Sequence, residues 1–287
     1  MRLFERNKYK IKPEWVFNQS GNLWKFIFGG KDIIAGETRD LEKKKLYLFT
    51  IEIQTGKKLL RDFLFEDGNY WISVEGATTS ILFLHRFEKP ELPYHKNIIA
   101  IDIRTANKLW ENEDYQYFFS TENTLYGIKQ KLDNANLVEI NVQDGSVLRK
   151  ISEEEYPDIL ELKRKSDDDL YTEYYDYPKS ISQFPPDNNV GKIINEPVTN
   201  SEGEIEYIIK DGKLFFNYYK PGDINVKDIT RKYYKNIFCI YHIDSGEKLY
   251  EDVLNERSSF NVPDNFFCKD NFLYYLREKK DIVAIKL

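Results

Sequence analysis

Two of the three histidines in this chain of 287 residues lie close together, in a segment that also carries carboxylates. His85 and His95 belong to the run LHRFEKPELPYHK, with Glu88 and Glu91 between them. Imidazole and carboxylate groups together can bind a metal ion or transfer protons. The run lacks the tighter spacings typical of metal sites, such as HxxxH or HxH, and its prolines favour a surface loop between two strands. We therefore predict no metal site. The residues predicted to contact a ligand or partner are His85, Glu88, His95 and the adjacent Lys96.

A second group of candidate binding residues is aromatic. The run LYTEYYDYP carries four tyrosines interleaved with acidic residues, namely Tyr171, Tyr174, Tyr175 and Tyr177. Exposed aromatic side chains are typical of surfaces that recognise peptides or glycans. Alternatively, these rings cover the face of a sheet and are buried there. The sequence leaves both interpretations open, and all four tyrosines are counted among the candidate contact residues.

No motif indicates a catalytic residue or a known cofactor. A GxSxG run is absent, and three histidines offer few general bases for a catalytic triad. Gly30 and Lys31 are followed by Asp32 rather than by Ser or Thr, so this segment is not a P-loop. The acidic runs at 153–155 and 167–169 lack the alternating spacing of a calcium-binding loop. We therefore predict no catalytic residue, no metal and no cofactor.

The composition excludes several classes of protein. Hydrophobic residues make up 41% of the chain and aromatic residues 15%, which is enough to fill a core and excludes general disorder. The 42 Lys and Arg against 48 Asp and Glu give a net charge of −6, which argues against nucleic acid as a partner. No run approaches the roughly 18 apolar residues that span a bilayer, so no membrane contact is expected.

The N-terminus and the cysteines predict the cellular setting. The run MRLFERNKYKIKPEWVF spreads its charges throughout and lacks the apolar core of a signal peptide. Cys239 and Cys268 both lie in apolar runs, and two thiols are too few for a disulfide framework in a chain of this length. We expect a cytoplasmic monomer with two buried or half-buried thiols.

Four similar segments recur along the chain and define the elements that must position the candidate residues. They are LYLFTIEIQTGKKLLRDF from Leu46, NIIAIDIRTANKLWENE from Asn97, NLVEINVQDGSVLRKI from Asn136 and NIFCIYHIDSGEKLYEDV from Asn236. Each segment predicts a β-hairpin with a two-residue turn, in which a glycine supplies the positive φ angle that a tight turn needs. The exception is the turn at Thr105 and Ala106, where we expect Asn107 to take the left-handed conformation.

Two further strand-like runs precede each hairpin, so the repeat contains four strands in roughly 40–50 residues. This pattern predicts an all-β protein, a β-propeller of four-stranded antiparallel blades. The last blade lacks its outer strand, and we expect residues 11–17 to supply it, so that the N-terminal strand joins the C-terminal blade. Five blades are clear. Residues 153–203 are acidic, rich in tyrosine and broken by prolines, and form either a sixth, divergent blade or an inserted segment within one domain of residues 1–287.

The hairpin repeat resembles that of quinoprotein-type (PQQ-like) propellers, whose blades carry an A-x-D-x-x-T-G-x-x-x-W core. The most similar copy is AIDIRTANKLW at residues 100–110. Residues 84–102 and the C-terminal run DNFFCKDNFLYYLREKKDIVAIKL also resemble an uncharacterised family of soluble propeller-like proteins from Bacteroidetes and related bacteria. Quinoprotein enzymes have eight blades and paired docking tryptophans, whereas this chain has room for five or six blades. The resemblance therefore implies the fold and no PQQ cofactor.

The sequence favours a non-catalytic binding or scaffold module, with a protein or a small molecule as its partner. This expectation rests on the fold, because propellers present a central depression and a broad rim. The alternative is an enzyme that acts on a carbohydrate or lactone at the central channel, using acidic residues and His95. An enzyme requires several ionisable side chains to converge, whereas a binding module requires an exposed aromatic or charged patch.

Overall fold

The computed structural model describes residues 9–87, 94–130, 135–168, 175–181, 189–195, 197–226, 229–259 and 265–287. Within these residues the chain divides into two compact units. One comprises residues 18–170, and the other joins residues 1–17 to residues 171–287.

Most of the described residues belong to β-strands, which are numbered here in chain order. The first thirteen are β1 Trp15–Phe17, β2 Asn22–Gly29, β3 Ile33–Asp40, β4 Lys45–Glu52, β5 Lys58–Phe63, β6 Ile72–Ala77, β7 Ile81–Phe87, β8 His95–Asp102, β9 Lys108–Asn112, β10 Gln116–Ser120, β11 Thr124–Gln130, β12 Ala135–Asn141 and β13 Val147–Lys150. The others are β14 Tyr175–Asp176, β15 Lys179–Ile181, β16 Ile205–Lys210, β17 Lys213–Val226, β18 Ile229–His242, β19 Lys248–Ser258, β20 Phe266–Lys269, β21 Phe272–Arg277 and β22 Asp281–Lys286. The two α-helices are α1 Tyr156–Asp168 and α2 Asn189–Asn195.

The described strands form five antiparallel sheets, which are the blades predicted from the repeats. In the unit of residues 18–170, blade 1 is β2 to β5, blade 2 is β6 to β9 and blade 3 is β10 to β13. In the other unit, blade 4 is β16 to β19, with β15 added at its first edge. Blade 5 is β20 to β22, with β1 at the outer edge and β14 at the first edge. The chain is therefore an all-β protein of the β-propeller class.

The N-terminal strand completes the C-terminal blade, as the sequence predicts. β1 pairs antiparallel with β22, and Trp15 lies opposite Ala284 while Phe17 lies opposite Ile282. Trp15 and Phe17 are buried, whereas Val16 between them is exposed, which is the alternation of an edge strand with one covered face.

Successive side chains of a central strand enter two different cores. In β7, Leu82 and Leu84 pack into the cluster shared with blade 1, whereas Ile81 and Phe83 pack into the cluster shared with blade 3. All four are buried, so the strand shows a continuous apolar run instead of an alternating one. Each such side chain contributes about 1.5–3 kcal/mol of burial free energy.

The repeat hairpins turn over four residues instead of the predicted two. Glu52 both donates its amide to the carbonyl of Lys57 and accepts the amide of Gly56, and the other three hairpins repeat this pattern. The turn glycines have positive φ angles, as predicted. The prediction for the exceptional turn was wrong, because Ala106 itself has a φ of 57°. The amide of Ala106 donates to the carbonyl of Asp102, so it holds the place of the turn glycine.

The described residues of the segment 153–203 form two helices and two short edge strands. A capping box between Ser152 and Glu155 starts the turn that leads into α1, which packs Ile159 against blade 3. Helix α2 packs Ile193 and Ile194 against blade 4. Strand β14 pairs with β20 of blade 5, and β15 pairs with β16 of blade 4. Residues 175–181, which we name the strap, therefore cover the first edges of both blades.

Both cysteines are free and buried. Burial raises the pKa of the Cys268 thiol to about 12 and that of Cys239 further, so both are inert thiols at neutral pH. Neither helix in the described part of the chain is long and apolar enough to cross a membrane.

Candidate functional site

Glu75, His85 and His95 converge on blade 2 from three adjacent strands. Glu75 lies in β6, His85 in β7 and His95 at the first residue of β8. The sequence favoured a loop for the two histidines, and the structure corrects this. Both lie in strands because the pairing of β7 with β8 continues as far as Phe87, which lies opposite His95. The three residues offer ligand atoms that all lie within 4.8 Å of one another.

Two β-bulges bring these side chains together. Between β6 and β7, Val74 lies opposite Leu84 and Gly76 opposite Phe83, so Glu75 is an extra residue in its strand. Between β7 and β8 the register shifts at His85, where β8 carries the extra residue. Bulges bend a strand, redirect a side chain and are frequent next to functional sites. The convergence therefore depends on two local irregularities.

Both imidazoles approach the same carboxylate oxygen. The Nδ1 atom of His95 lies 2.5 Å from Oε1 of Glu75, and the Nδ1 atom of His85 lies 2.9 Å from it. The two rings stack with their centroids 3.6 Å apart and an angle of 10° between their planes. His85 is only 2% exposed, whereas the side chain of His95 is 42% exposed. One imidazole is thus fixed in the interior, and the other is accessible.

The surroundings favour a neutral His85 and an ionised Glu75. Burial lowers the pKa of His85 and outweighs the opposing effect of Glu75. Burial alone would raise the pKa of Glu75, but its contacts with His85 and the charges on His95 and Lys25 outweigh this, so its pKa is lowered. These are the protonation states in which imidazole and carboxylate groups bind metal ions.

The imidazole of His85 has unused hydrogen-bonding capacity. Its Nδ1 atom faces Glu75 at ion-pair distance but without the alignment of a hydrogen bond, and its Nε2 atom has no partner among the described residues. A buried polar atom without a partner costs about 1–3 kcal/mol. A bound ion or ligand is one explanation for a buried polar atom without a hydrogen-bond partner in a native structure.

Exposed tryptophans lie beside this cluster. Trp24 of β2 is 58% exposed, and Trp71, which precedes β6, is 40% exposed. The ring of Phe87 lies 6.3 Å from that of Trp71 and 5.8 Å from that of His95. The guanidinium of Arg39 lies 5.2 Å from the ring of Trp24 and 5.9 Å from that of Phe87. We name Trp24 and Trp71 the tryptophan rim.

A buried ion pair holds the strand that carries Glu75. Arg39 donates two hydrogen bonds to Oε1 of Glu37 and one each to the carbonyls of Tyr70 and Ile72. Glu37 also accepts the hydroxyl of Ser73 and the amide of Val74. Side chains of β3 in blade 1 are therefore hydrogen-bonded to the backbone of blade 2 between residue 70 and residue 74, directly before the bulge.

The other predicted contact residues are Lys96, two tyrosines of the strap, and three residues outside the described part of the chain. Lys96 is exposed on β8 next to His95. In the strap, Tyr175 and Tyr177 stack with ring centroids 5.7 Å apart, and each ring lies within 6 Å of the ring of Phe267 in blade 5. The predicted residues outside the described part of the chain are Glu88, Tyr171 and Tyr174.

Sequence reasoning missed three members of the site. The candidate residues chosen from the sequence include neither Glu75 nor the two rim tryptophans. One signal was available, since YWISVEG places an acidic residue and a glycine in an otherwise apolar strand, and a glycine inside a strand often marks a bulge. No pattern in the sequence indicates the exposure of the tryptophans.

Residues 29–110 match the model of a domain of unknown function, DUF4905. No curated protein matches the chain.

Among solved structures, the chain is similar to BamB from Moraxella catarrhalis, with 8% identity over 96% of this chain and 100% of that one and a TM-score of 0.26. It is also similar to the quinohemoprotein alcohol dehydrogenase ADHIIG from Pseudomonas putida, with 8% identity over 86% of this chain and 44% of that one and a TM-score of 0.30. A member of the DUF4221 family from Bacteroides vulgatus has 10% identity over 98% of both chains and a TM-score of 0.23.

Proposed function

We propose that the chain is a non-catalytic β-propeller binding module that holds a small organic ligand at the tryptophan rim of blades 1 and 2. The observation that carries the proposal is the exposure of two tryptophans beside a convergent polar cluster. Ligand sites typically combine aromatic walls with a few well-placed polar groups. The ligand chemistry that fits has a planar or sugar ring to stack on indole and a polar group to reach His95.

The proposal is tested by screening the purified chain against nucleosides, monosaccharides and aromatic acids, with melting temperature as the first readout. Fluorescence titration then measures the affinity of each ligand that stabilises the chain. We expect Trp24→Ala and Trp71→Ala to weaken binding at least tenfold without a change in fold. Leu148→Ala is the matched control, because Leu148 is as exposed as Trp24 but lies in blade 3. Equal affinity of all three variants would refute the proposal.

The second candidate is an enzyme that acts on a carbohydrate or lactone. It is favoured by the convergence of a carboxylate with two imidazoles, one of them partly exposed, since positioned imidazole and carboxylate groups act as general acids and bases. His95 is the accessible member and would exchange the proton with the substrate. Initial rates on chromogenic lactones and glycosides test this candidate. If the unmodified chain is active and His95→Gln is not, the chain is an enzyme and the binding proposal is wrong.

A further inference from the structure

We infer that Glu75, His85 and His95 bind one divalent first-row transition-metal ion. The inference uses the same site as the proposed function and rests on it only for the role of the metal, which supplies the polar contact for the organic ligand. The binding of the metal itself depends on the cluster alone.

The donor set points to this class of metal. Two imidazole nitrogens and one carboxylate are ligands that zinc, iron, cobalt and nickel accept, whereas calcium and magnesium prefer all-oxygen sites. Three protein ligands leave at least one coordination position open, which is typical of sites that also bind a small molecule.

The position of the donors supports the inference independently. The three side chains come from three hydrogen-bonded strands, and the ion pair of Glu37 and Arg39 fixes the strand that precedes Glu75. His85 is 2% exposed, and its Nδ1 atom faces the cluster without an aligned hydrogen bond among the described residues. A metal ion would use this nitrogen.

Metal binding requires a defined rearrangement. Tetrahedral metal–ligand bonds of about 2.0–2.1 Å hold neighbouring donor atoms roughly 3.3 Å apart. Here the Nδ1 atoms lie only 2.5 and 2.9 Å from the carboxylate oxygen, and the parallel rings direct their lone pairs side by side. The ring of His95 must therefore turn and move outwards by several tenths of an ångström. Its partial exposure at the start of β8 leaves room for this movement.

The test is a calorimetric titration of the full chain with zinc chloride after chelator treatment, followed by Co²⁺ as a spectroscopic probe. We expect one ion per chain, a rise in melting temperature, and visible cobalt bands of a four-coordinate site with nitrogen ligands. Calcium should give neither heat nor stabilisation. Because His95 is partly exposed, His95→Gln should fold normally and weaken zinc binding at least 100-fold. Glu75→Gln should weaken it similarly.

His242→Gln is the matched control, since His242 is the one remaining histidine of the chain and lies in blade 4. It should bind zinc like the unmodified chain. The inference fails if zinc does not bind at a ratio of one, if His95→Gln binds as tightly as the unmodified chain, or if His242→Gln loses as much affinity. Titration of Trp24→Ala separates the two proposals. If the unmodified chain and the variants bind zinc but no organic ligand, only the proposed function is refuted. If the unmodified chain binds an organic ligand but no zinc, only the metal site is refuted.

Discussion

Neighbouring blades are joined differently in the two units. Between blades 1 and 2 a buried ion pair lies next to the shared apolar cluster, and its Arg39 and Glu37 of β3 bond to the backbone of the next blade. Between blades 4 and 5 the buried contacts are aromatic, with the ring of Phe238 packed 5.0 Å from that of Phe266. An ion pair of Arg277 with Asp252 also crosses this joint, but it is partly exposed. The hydroxyl of Tyr275 there bonds to Tyr250 across the same joint.

The difference shows what each joint contributes. Aromatic rings stabilise by burying area and tolerate small shifts of the backbone, since dispersion and burial are weakly directional. Hydrogen bonds from a guanidinium are directional and fix the atoms they contact. The ionic joint lies beside the one cluster of convergent histidine and carboxylate groups found in the described residues. We therefore interpret it as the element that positions Glu75, whereas the aromatic joint is a packing element.

The largest expected effect is the loss of one partner of the ionic joint. Arg39→Met leaves the carboxylate of Glu37 buried without its counter-charge, which should lower the free energy of unfolding by about 3–5 kcal/mol. Urea denaturation measures the change. The double variant Glu37→Met with Arg39→Met should recover part of the loss, because it removes the uncompensated charge. If Arg39→Met loses less unfolding free energy than the double variant, the buried ion pair does not have the role that the comparison gives it.

A cavity in the aromatic joint should cost nearly as much. Phe238 is fully buried, so Phe238→Ala should lower the free energy of unfolding by about 3 kcal/mol. Because the ring of Phe238 packs and makes no hydrogen bond of its own, the variant should retain the zinc affinity of the unmodified chain. Calorimetric titration at a temperature where the variant is folded checks this. A loss of zinc affinity would show that the aromatic joint also positions the site.

The hydroxyl at the aromatic joint should contribute less than the ring. Tyr275 donates to Asp252 at 2.8 Å and lies 2.7 Å from the hydroxyl of Tyr250. Tyr275→Phe keeps the ring and removes these bonds, which should lower the free energy of unfolding by about 1–2 kcal/mol. The matched control is Tyr94→Phe, because Tyr94 is exposed and should show no change. Equal effects at both positions would contradict the role of the buried bonds.

The smallest expected effect is the pH dependence of stability at Glu111 of blade 2. Burial alone would raise its pKa, but hydrogen bonds from Arg86, Asn97 and Lys108 lower it from 4.5 to about 2. A carboxyl with a lowered pKa stabilises the fold above pH 4.5 and loses this contribution as the pH falls from there towards 2. Screening by solvent reduces the effect to about 1 kcal/mol. Urea denaturation at pH 3 and pH 6 should show a shallower pH dependence for Glu111→Gln than for the unmodified chain. An identical dependence would rule out this contribution.

The blades were predictable, and the site was not, for a physical reason. Repeat spacing and apolar runs indicate which strands are buried, and burial is an average property of a strand. The five clear blades and the closing strand could therefore be predicted from the sequence, whereas the place of residues 153–203 could not. The convergence of Glu75 with two histidines depends on two bulges, each a shift of one residue. The exposure of Trp24 depends on how neighbouring blades pack, which the sequence of a single strand does not report. Ala106 shows the same limit, because a hydrogen bond to Asp102 decides which residue takes the left-handed conformation.

The pairing of β1 with β22 has a consequence for synthesis on the ribosome. Trp15 meets Ala284, so about 270 residues must be made between the two partners, which takes on the order of 15–50 s at typical elongation rates of about 5–20 residues per second. During that interval blades 1 to 3 can fold, while the apolar side chains of β1 have no strand to cover them. In such a nascent chain Trp15 and Phe17 lack their partner strand until β22 has been made.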